Sequence, residues 1–327
     1  MKSNVRVCAD VNELSRRAAE AAVTTINGAV RSHGRCSLVL SGGSTPRTLY
    51  GLLASAFRDR IPWTSVDVFF GDERYVPPDD PDSNYRMAKE TLLDHVPCPA
   101  PNIHPMPTHF PSPDDAARDY ERTLRNYFGG DWPHFDLILL GLGEEGHTAS
   151  LFPGSPALGE RTRWVVAVKA PAEPPTRLTL TLPALTRAAN VYVLVAGSKK
   201  AGALQHVLTG IPDPNAYPAA GIRATDGTLI WWVDREAAAQ HASSTPMAIA
   251  TGVDPAGHKG AIQGDRPEDE QDGNASVPAL DGNGLPANPI AIAEDRIGAN
   301  VDDSEVANAD ETGRTTDAPR DEVRPLK

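Results

Sequence analysis

The stretch Asp136–Pro156 reads DLILLGLGEEGHTASLFPGSP, and its interpretation decides the fold. The run Asp136–Leu140 has the length and branching of a strand buried on both faces. Glycines follow at 141, 143 and 146, then His147, two small hydroxyl residues and a short apolar run closed by Pro153 and Pro156. A buried strand, a turn that exposes backbone and a short helix starting near a histidine is how an open α/β sheet presents chemistry. Ligands there sit outside the carboxyl ends of the strands.

The same residues contain a decoy. Gly141, Gly143 and Gly146 spell GxGxxG after a strand, and Glu160 lies near the spacing of a ribose-binding acid. A dinucleotide fold needs the third glycine to open a long helix, whereas Pro153, Gly154, Pro156 and Gly159 limit any helix here to Thr148–Phe152. The motif also lies mid-chain rather than at the first turn, so a nicotinamide cofactor is not expected.

Outward from this centre the pattern repeats. Val5–Cys8, Ser37–Ser41, Val66–Phe70, Trp164–Val168, Leu178–Leu182, Val191–Ala196 and Leu229–Val233 read as strands. Between them lie helical segments: one from Asp10 as N-cap to Ser32 with Glu13 completing a capping box, one after Pro46, and one from Asp82 or Ser83 to Leu93. Others cover Asp114–Phe128, Pro183–Ala189 and Ser198–Leu208. Strands alternating with helices predict a three-layer α/β sandwich with a mainly parallel, Rossmann-like sheet.

Charge and composition divide the 327 residues at about position 242. Residues 243–327 hold 17 Asp and Glu against 7 Lys and Arg and contain no Phe, Trp, Tyr or Cys. Such a segment buries too little apolar surface to offset its ordering entropy, so it reads as a disordered acidic tail. It accounts for −10 of the total charge of −12, leaving residues 1–242 close to neutral and without the basic footprint of a nucleic-acid binder. No apolar run is long enough to span a membrane. MKSNVRVCADVNEL shows no apolar run of a secretory signal, and Cys8, Cys36 and Cys98 match neither a disulfide framework nor a zinc site. A reducing cytoplasm is the expected setting.

Three strand ends carry unusual residues. Ser41-Gly42-Gly43-Ser44-Thr45 lets backbone N–H groups and a helix N-terminus meet an anion, or is an ordinary capped turn. Gly71-Asp72-Glu73-Arg74 places three charges directly after an apolar strand, which is costly unless they pair or work, and Arg74 is suited to a phosphate or carboxylate. His147, just after the glycine turn, is a candidate general base or a histidine satisfied in the core. Arg177 at a strand start and Lys199 and Lys200 at a helix start add cations at the same edge. These residues describe an α/β enzyme or binder for a small anionic, phosphorylated ligand and leave its reaction open. No metal motif is present.

Taken together, SGGSTPRTLY, FFGDERYVPPDDPDSNY, LILLGLGEEGHTASLFPGSPAL, RLTLTLPAL and VYVLVAGSKKAGAL resemble the 6-phosphogluconolactonase family, in order and at matching spacing, over residues 5–240. That family shares its fold with glucosamine-6-phosphate deaminase and ribose-5-phosphate isomerase. The resemblance implies hydrolysis of a phosphorylated sugar lactone, 6-phospho-D-glucono-1,5-lactone, in the pentose phosphate pathway, with no cofactor and no metal. It implies His147 as general base, Arg74 and Lys200 as phosphate ligands, and Ser41, Gly42, Gly43, Ser44 and Thr45 lining the pocket with Asp72, Gly143 and Arg177. Backbone N–H groups of the glycine turn would hold the oxyanion. In two respects the chain departs from the pattern: Glu145 stands where the family has Asp, and the acidic tail lies outside it. A deaminase would instead follow the histidine with an IAFNEP-like run, and a sugar-phosphate sensor would carry a DNA-binding domain.

Overall fold

The computed structural model describes residues 4–130, 132–224 and 227–244. The tail expected over 243–327 lies outside them, apart from the two positions that close the last helix. In chain order, β1 (Asn4–Cys8) leads through α1 (Val11–His33) into β2 (Cys36–Leu40), followed by α2 (Ser44–Ala54), β3 (Val66–Phe70) and β4 (Asp72–Arg74). Then come α3 (Asn84–Thr91), α4 (Pro113–Phe128), β5 (Leu137–Gly141), β6 (Val165–Lys169) and β7 (Thr176–Leu180). The single turn α5 (Leu182–Leu185), β8 (Asn190–Val195), α6 (Ala201–Thr209), β9 (Thr228–Asp234) and α7 (Arg235–Ser244) complete it.

Six strands form one parallel sheet in the order β1-β9-β8-β5-β2-β3. All five residues of β2 and the first four of β5 are buried, as strands covered on both faces must be. The chain runs from β2 outward to β3, then returns to the other side of β2 as β5 and continues outward through β8 and β9. The order therefore reverses between β2 and β5, and the crevice outside their carboxyl ends is where such a sheet accepts a ligand.

The helices end as their sequences dictate. Asp10 caps α1 by accepting from the N–H groups of Asn12 and Glu13, and the Glu13 carboxylate accepts from the Ala9 N–H in return. Leu14, Ala18, Ala22 and Ile26 make its buried stripe. In α4, Ser112 is the N-cap and Ala116, Ala117, Tyr120 and Leu124 face inward. The short helix expected over Pro183–Ala189 shrinks to α5, and the helix expected from Ser198 begins with a 3-10 turn over Ser198–Lys200.

One feature was not anticipated. β4, β7 and β6 form a separate antiparallel sheet, with Asp72 opposite Thr179 and Arg74 opposite Arg177. The residues after β3 had read as the start of a polar loop because a strand of Asp, Glu and Arg has no hydrophobic period. Its pairing starts at Gly71, whose N–H donates to the Leu40 carbonyl of the main sheet and whose carbonyl accepts from the Leu180 N–H of the small one.

Glu121 of α4 ties that small sheet down. Its side chain, 8% exposed, accepts from the guanidinium groups of Arg125 and Arg163 and from the Trp164 N–H. Burial pushes its carboxyl up, but Arg163 and Arg125 outweigh this and hold it below the usual carboxylate range. The pairing therefore stabilises fully above the unfolded carboxyl value, about 4.3, and is lost as the pH falls through the lower folded value. Glu121→Ala takes the carboxylate away from the Arg163 and Arg125 guanidinium groups and should cost about 2–4 kcal/mol in urea denaturation at pH 7. A loss that shrinks as the pH falls through the lowered folded value is the accompanying signature, and a loss independent of pH would contradict it.

Candidate active site

At the carboxyl ends of β2 and β5 lies a cavity of about 210 Å³. It is lined by the residues that the family resemblance implies for binding and catalysis: Ser41 to Thr45, Asp72, Arg74, Gly143, His147, Arg177 and Lys200. Lys199 is exposed and does not line it. Asn84, the first residue of α3, and Thr148, next to His147, also line it and are not among the residues expected from the sequence.

The turn from β2 into α2 is locked from behind. The Tyr50 hydroxyl accepts from the Ser41 N–H and donates to the Ser41 carbonyl, both at 2.8 Å. Gly43 turns at φ +106°, a conformation that suits glycine, and α2 then begins at Ser44 with no side-chain cap. Pro46 has no N–H, so the free donors of this helix start are those of Ser44 and Thr45, at the positive end of the helix dipole. Gly42 permits a close approach, since a Cβ there would lie 2.0 Å from Asn84 Oδ1.

Alternation along β4 separates its three charges. Asp72 and Arg74 line the cavity, while Glu73 turns to the other side. Its buried carboxylate accepts from the N–H groups of Arg74, Asn84 and Tyr85 and from the Ser83 hydroxyl. Burial pushes this carboxyl up to about 7, against three backbone donors that pull it down. Glu73 is thus a structural clasp that fixes the loop after Arg74. Asp72 accepts from Ser150 Oγ at 2.6 Å and from Asn84 Nδ2 at 3.3 Å. Arg74 donates through a terminal nitrogen to the Asp82 carbonyl.

Arg74 and Arg177 face each other across the ladder, and among the described residues neither forms an ion pair with a carboxylate. Like charges directly opposite destabilise a sheet unless something neutralises them. Burial and then the charge of Arg74 hold the Arg177 guanidinium below its ordinary value. Six buried side-chain polar atoms among the described residues have no partner in the protein, and three of them are Ser41 Oγ, Arg74 Nε and His147 Nδ1. Their concentration around one cavity marks the place where a polar ligand completes the structure.

His147 follows a turn rather than opening a helix. Gly146 is at φ +85°, Ala149 at φ +47°, and Thr148 pairs with Leu151 in a tight bridge, which overturns the helix expected over Thr148–Phe152. Thr148 Oγ1 donates to the Gly141 carbonyl instead. The imidazole lies against the Phe152 ring, centroids 4.5 Å apart, with Gly143 beneath it. Nδ1 is 3.0 Å from Glu145 Oε1, but out of line for a hydrogen bond, so the contact is electrostatic. The N–H groups of Gly143 and Gly146 donate to the carbonyls of His147 and Gly143. These two N–H groups are therefore engaged within the turn itself.

A Cβ at Gly143 would stand 1.9 Å from His147 Nδ1, so Gly143→Ala must displace the ring. A shift of about 1 Å should lower kcat roughly 100-fold. An unchanged kcat would mean that this seat of the imidazole is not the working one.

Lys200 reaches the cavity from the 3-10 turn after β8, where Asp234 Oδ2 accepts from the Gly197 N–H and Oδ1 from the Ala237 N–H. The described residues hold no cluster of three or more metal-ligating side chains and no helix long and apolar enough to cross a membrane.

Residues 9–231 match the sequence model of the glucosamine-6-phosphate isomerases/6-phosphogluconolactonase family. The chain belongs to that family. Within it, the 6-phosphogluconolactonase of Synechocystis is 45% identical over 240 residues, covering 72% of this chain and 98% of that protein. The 6-phosphogluconolactonase of Mycobacterium tuberculosis is 43% identical over 247 residues, 73% of this chain and 99% of that protein. A solved 6-phosphogluconolactonase from Trypanosoma brucei superposes with a TM-score of 0.64 at 32% identity, over 73% of this chain and 98% of that one. A monomeric glucosamine-6-phosphate deaminase, at 22% identity and a TM-score of 0.63, shares the fold alone. The relatives therefore match the part of the chain that carries the cavity.

Proposed function

We propose that this chain hydrolyses 6-phospho-D-glucono-1,5-lactone to 6-phospho-D-gluconate, with His147 as general base. The observation that carries this reading is the cavity itself: unpaired cations and unpartnered buried polar atoms on one side, and His147 on the other. Arg74, Lys200 and the free N–H groups of Ser44 and Thr45 hold the phosphate, which supplies the charge that Arg74 and Arg177 lack between them.

Glu145 beside Nδ1 favours the proton on that nitrogen, leaving the Nε2 lone pair for water. As the water oxygen bonds to C1, His147 takes its proton and the carbonyl electrons move to the exocyclic oxygen. The tetrahedral intermediate collapses by breaking the bond from C1 to the ring oxygen, which receives that proton from the imidazolium. With the Gly143 and Gly146 N–H groups engaged within the turn, the Arg177 guanidinium, 5.8 Å from the Phe152 ring that packs on His147, meets the developing negative charge. No metal or cofactor takes part in this scheme.

The test is release of 6-phosphogluconate from freshly made lactone, with spontaneous opening subtracted. Turnover well above background supports the reading. Background rates with the lactone, together with ammonia release from glucosamine 6-phosphate, would replace it with a deaminase.

A further inference from the structure

A second cavity, of about 470 Å³, lies away from the first, between the segment 156–161, α5 and the segment 214–223. Three guanidinium groups line it, Arg161, Arg187 and Arg223, and no Asp or Glu does. Arg161 donates to the carbonyls of Leu158 and Glu160, and Arg187 donates to the Pro183 carbonyl while stacking 4.4 Å above the Trp132 ring. Both are thus anchored by neutral groups that leave the charge intact. Neither they nor Arg223 form an ion pair with a carboxylate among the described residues. The arginines of α4 behave differently: Arg118, Arg122 and Arg125 are each neutralised by Asp115, Asp119 and Glu121.

Among the described residues, the acids next in sequence to this lining accept from backbone groups. Glu160 Oε1 accepts from the N–H groups of Arg161, Thr162 and Arg163, and Asp213 Oδ1 from those of Asn215 and Ala216. Gly221 lets the walls close, since a Cβ there would meet Leu182 Cδ1 at 3.0 Å and Pro214 Cβ at 3.2 Å. Three arginines without a carboxylate partner among the described residues, around a cavity that no Asp or Glu lines, match a phosphate dianion, whose oxygens accept from paired N–H groups.

We propose that this cavity is a second anion site, taking a phosphate dianion either free or as a monoester. It is built on the segment that backs the catalytic turn. Ala219 N–H donates to the Gly146 carbonyl, the Asn215 carbonyl accepts from the Gly154 N–H, and Tyr217 fills the space over Gly146. A ligand that ties Arg223 to Arg161 and Arg187 therefore holds the strap against the turn that carries His147.

The experiment is an amide-resolved NMR titration of the full chain with inorganic phosphate, in an Arg74→Gln/Lys200→Gln background that weakens the first cavity. Saturable shifts at Gly221, Arg223, Ala219 and Gly146 are expected. Adding Arg223→Gln should weaken binding about tenfold or more. Arg187→Gln should act alike, and Arg223→Gln alone should remove the same shifts in the wild-type background. Tighter binding of glucose 6-phosphate or AMP than of inorganic phosphate would assign the organic part of the ligand, and equal affinity would assign free phosphate. Shifts that never saturate, or that survive Arg223→Gln unchanged, would overturn the proposal.

Discussion

His147→Ala should lower kcat for lactone hydrolysis by roughly 10²–10⁴ and leave KM nearly unchanged. The imidazole is held in place by packing rather than by a ligand, between Phe152 at 4.5 Å and the bare backbone of Gly143. On the proposed mechanism its removal takes away the proton acceptor and leaves Arg74 and Lys200 in place. A split between kcat and KM is therefore the expected pattern for a group that acts in the transition state and contributes little to ground-state binding. Because the lactone also opens in water, the residual rate must be read against buffer alone. Equal loss in kcat and gain in KM would make His147 a binding residue, and an unchanged kcat would remove it from the chemistry.

Arg74→Ala should act in the opposite sense, raising KM and lowering kcat/KM by about 10–100-fold with a smaller change in kcat. Its Nε is buried without a partner, and its register neighbour is another arginine. Both features cost stability in the empty protein and are relieved by an anion. The variant should thus lose substrate affinity while its own unfolding free energy stays within about 1 kcal/mol of wild type, the lost bond to the Asp82 carbonyl offsetting the relieved repulsion. Arg74→Lys keeps the charge but not the fork, and should recover part of the affinity. A large loss of stability with unchanged KM would show that Arg74 serves the fold.

The parallel sheet was legible because VDVFF, CSLVL and LILLG are nearly unbroken apolar runs, each followed by residues that a buried strand rarely tolerates. The starts of α1 and α3 were legible because Asp10 and Ser83 are capping residues in the right places. β4 escaped notice because its pairing depends on tertiary partners rather than on its own hydrophobicity. Asn84 escaped because its value lies in supporting Asp72, at a distance in sequence that no local motif reports. The segment after His147 was expected as a short helix, and it bends instead. The glycines before His147 had read as backbone donors; Gly143 gives the imidazole space and Gly146 makes the bend.

The peptide at Gly71 joins two sheets that supply different halves of the cavity. The parallel sheet contributes the uncapped helix start and the histidine turn, and the antiparallel one contributes Arg74 and Arg177. The small sheet thus brings its two facing arginines to a cavity whose His147 stands on a turn of the other sheet. On the proposed mechanism, substitutions at Arg74 on β4 retune which anion is held while His147 stays in place. A laboratory selection for lactones bearing another acidic group would then be expected to accumulate its changes on the small sheet first.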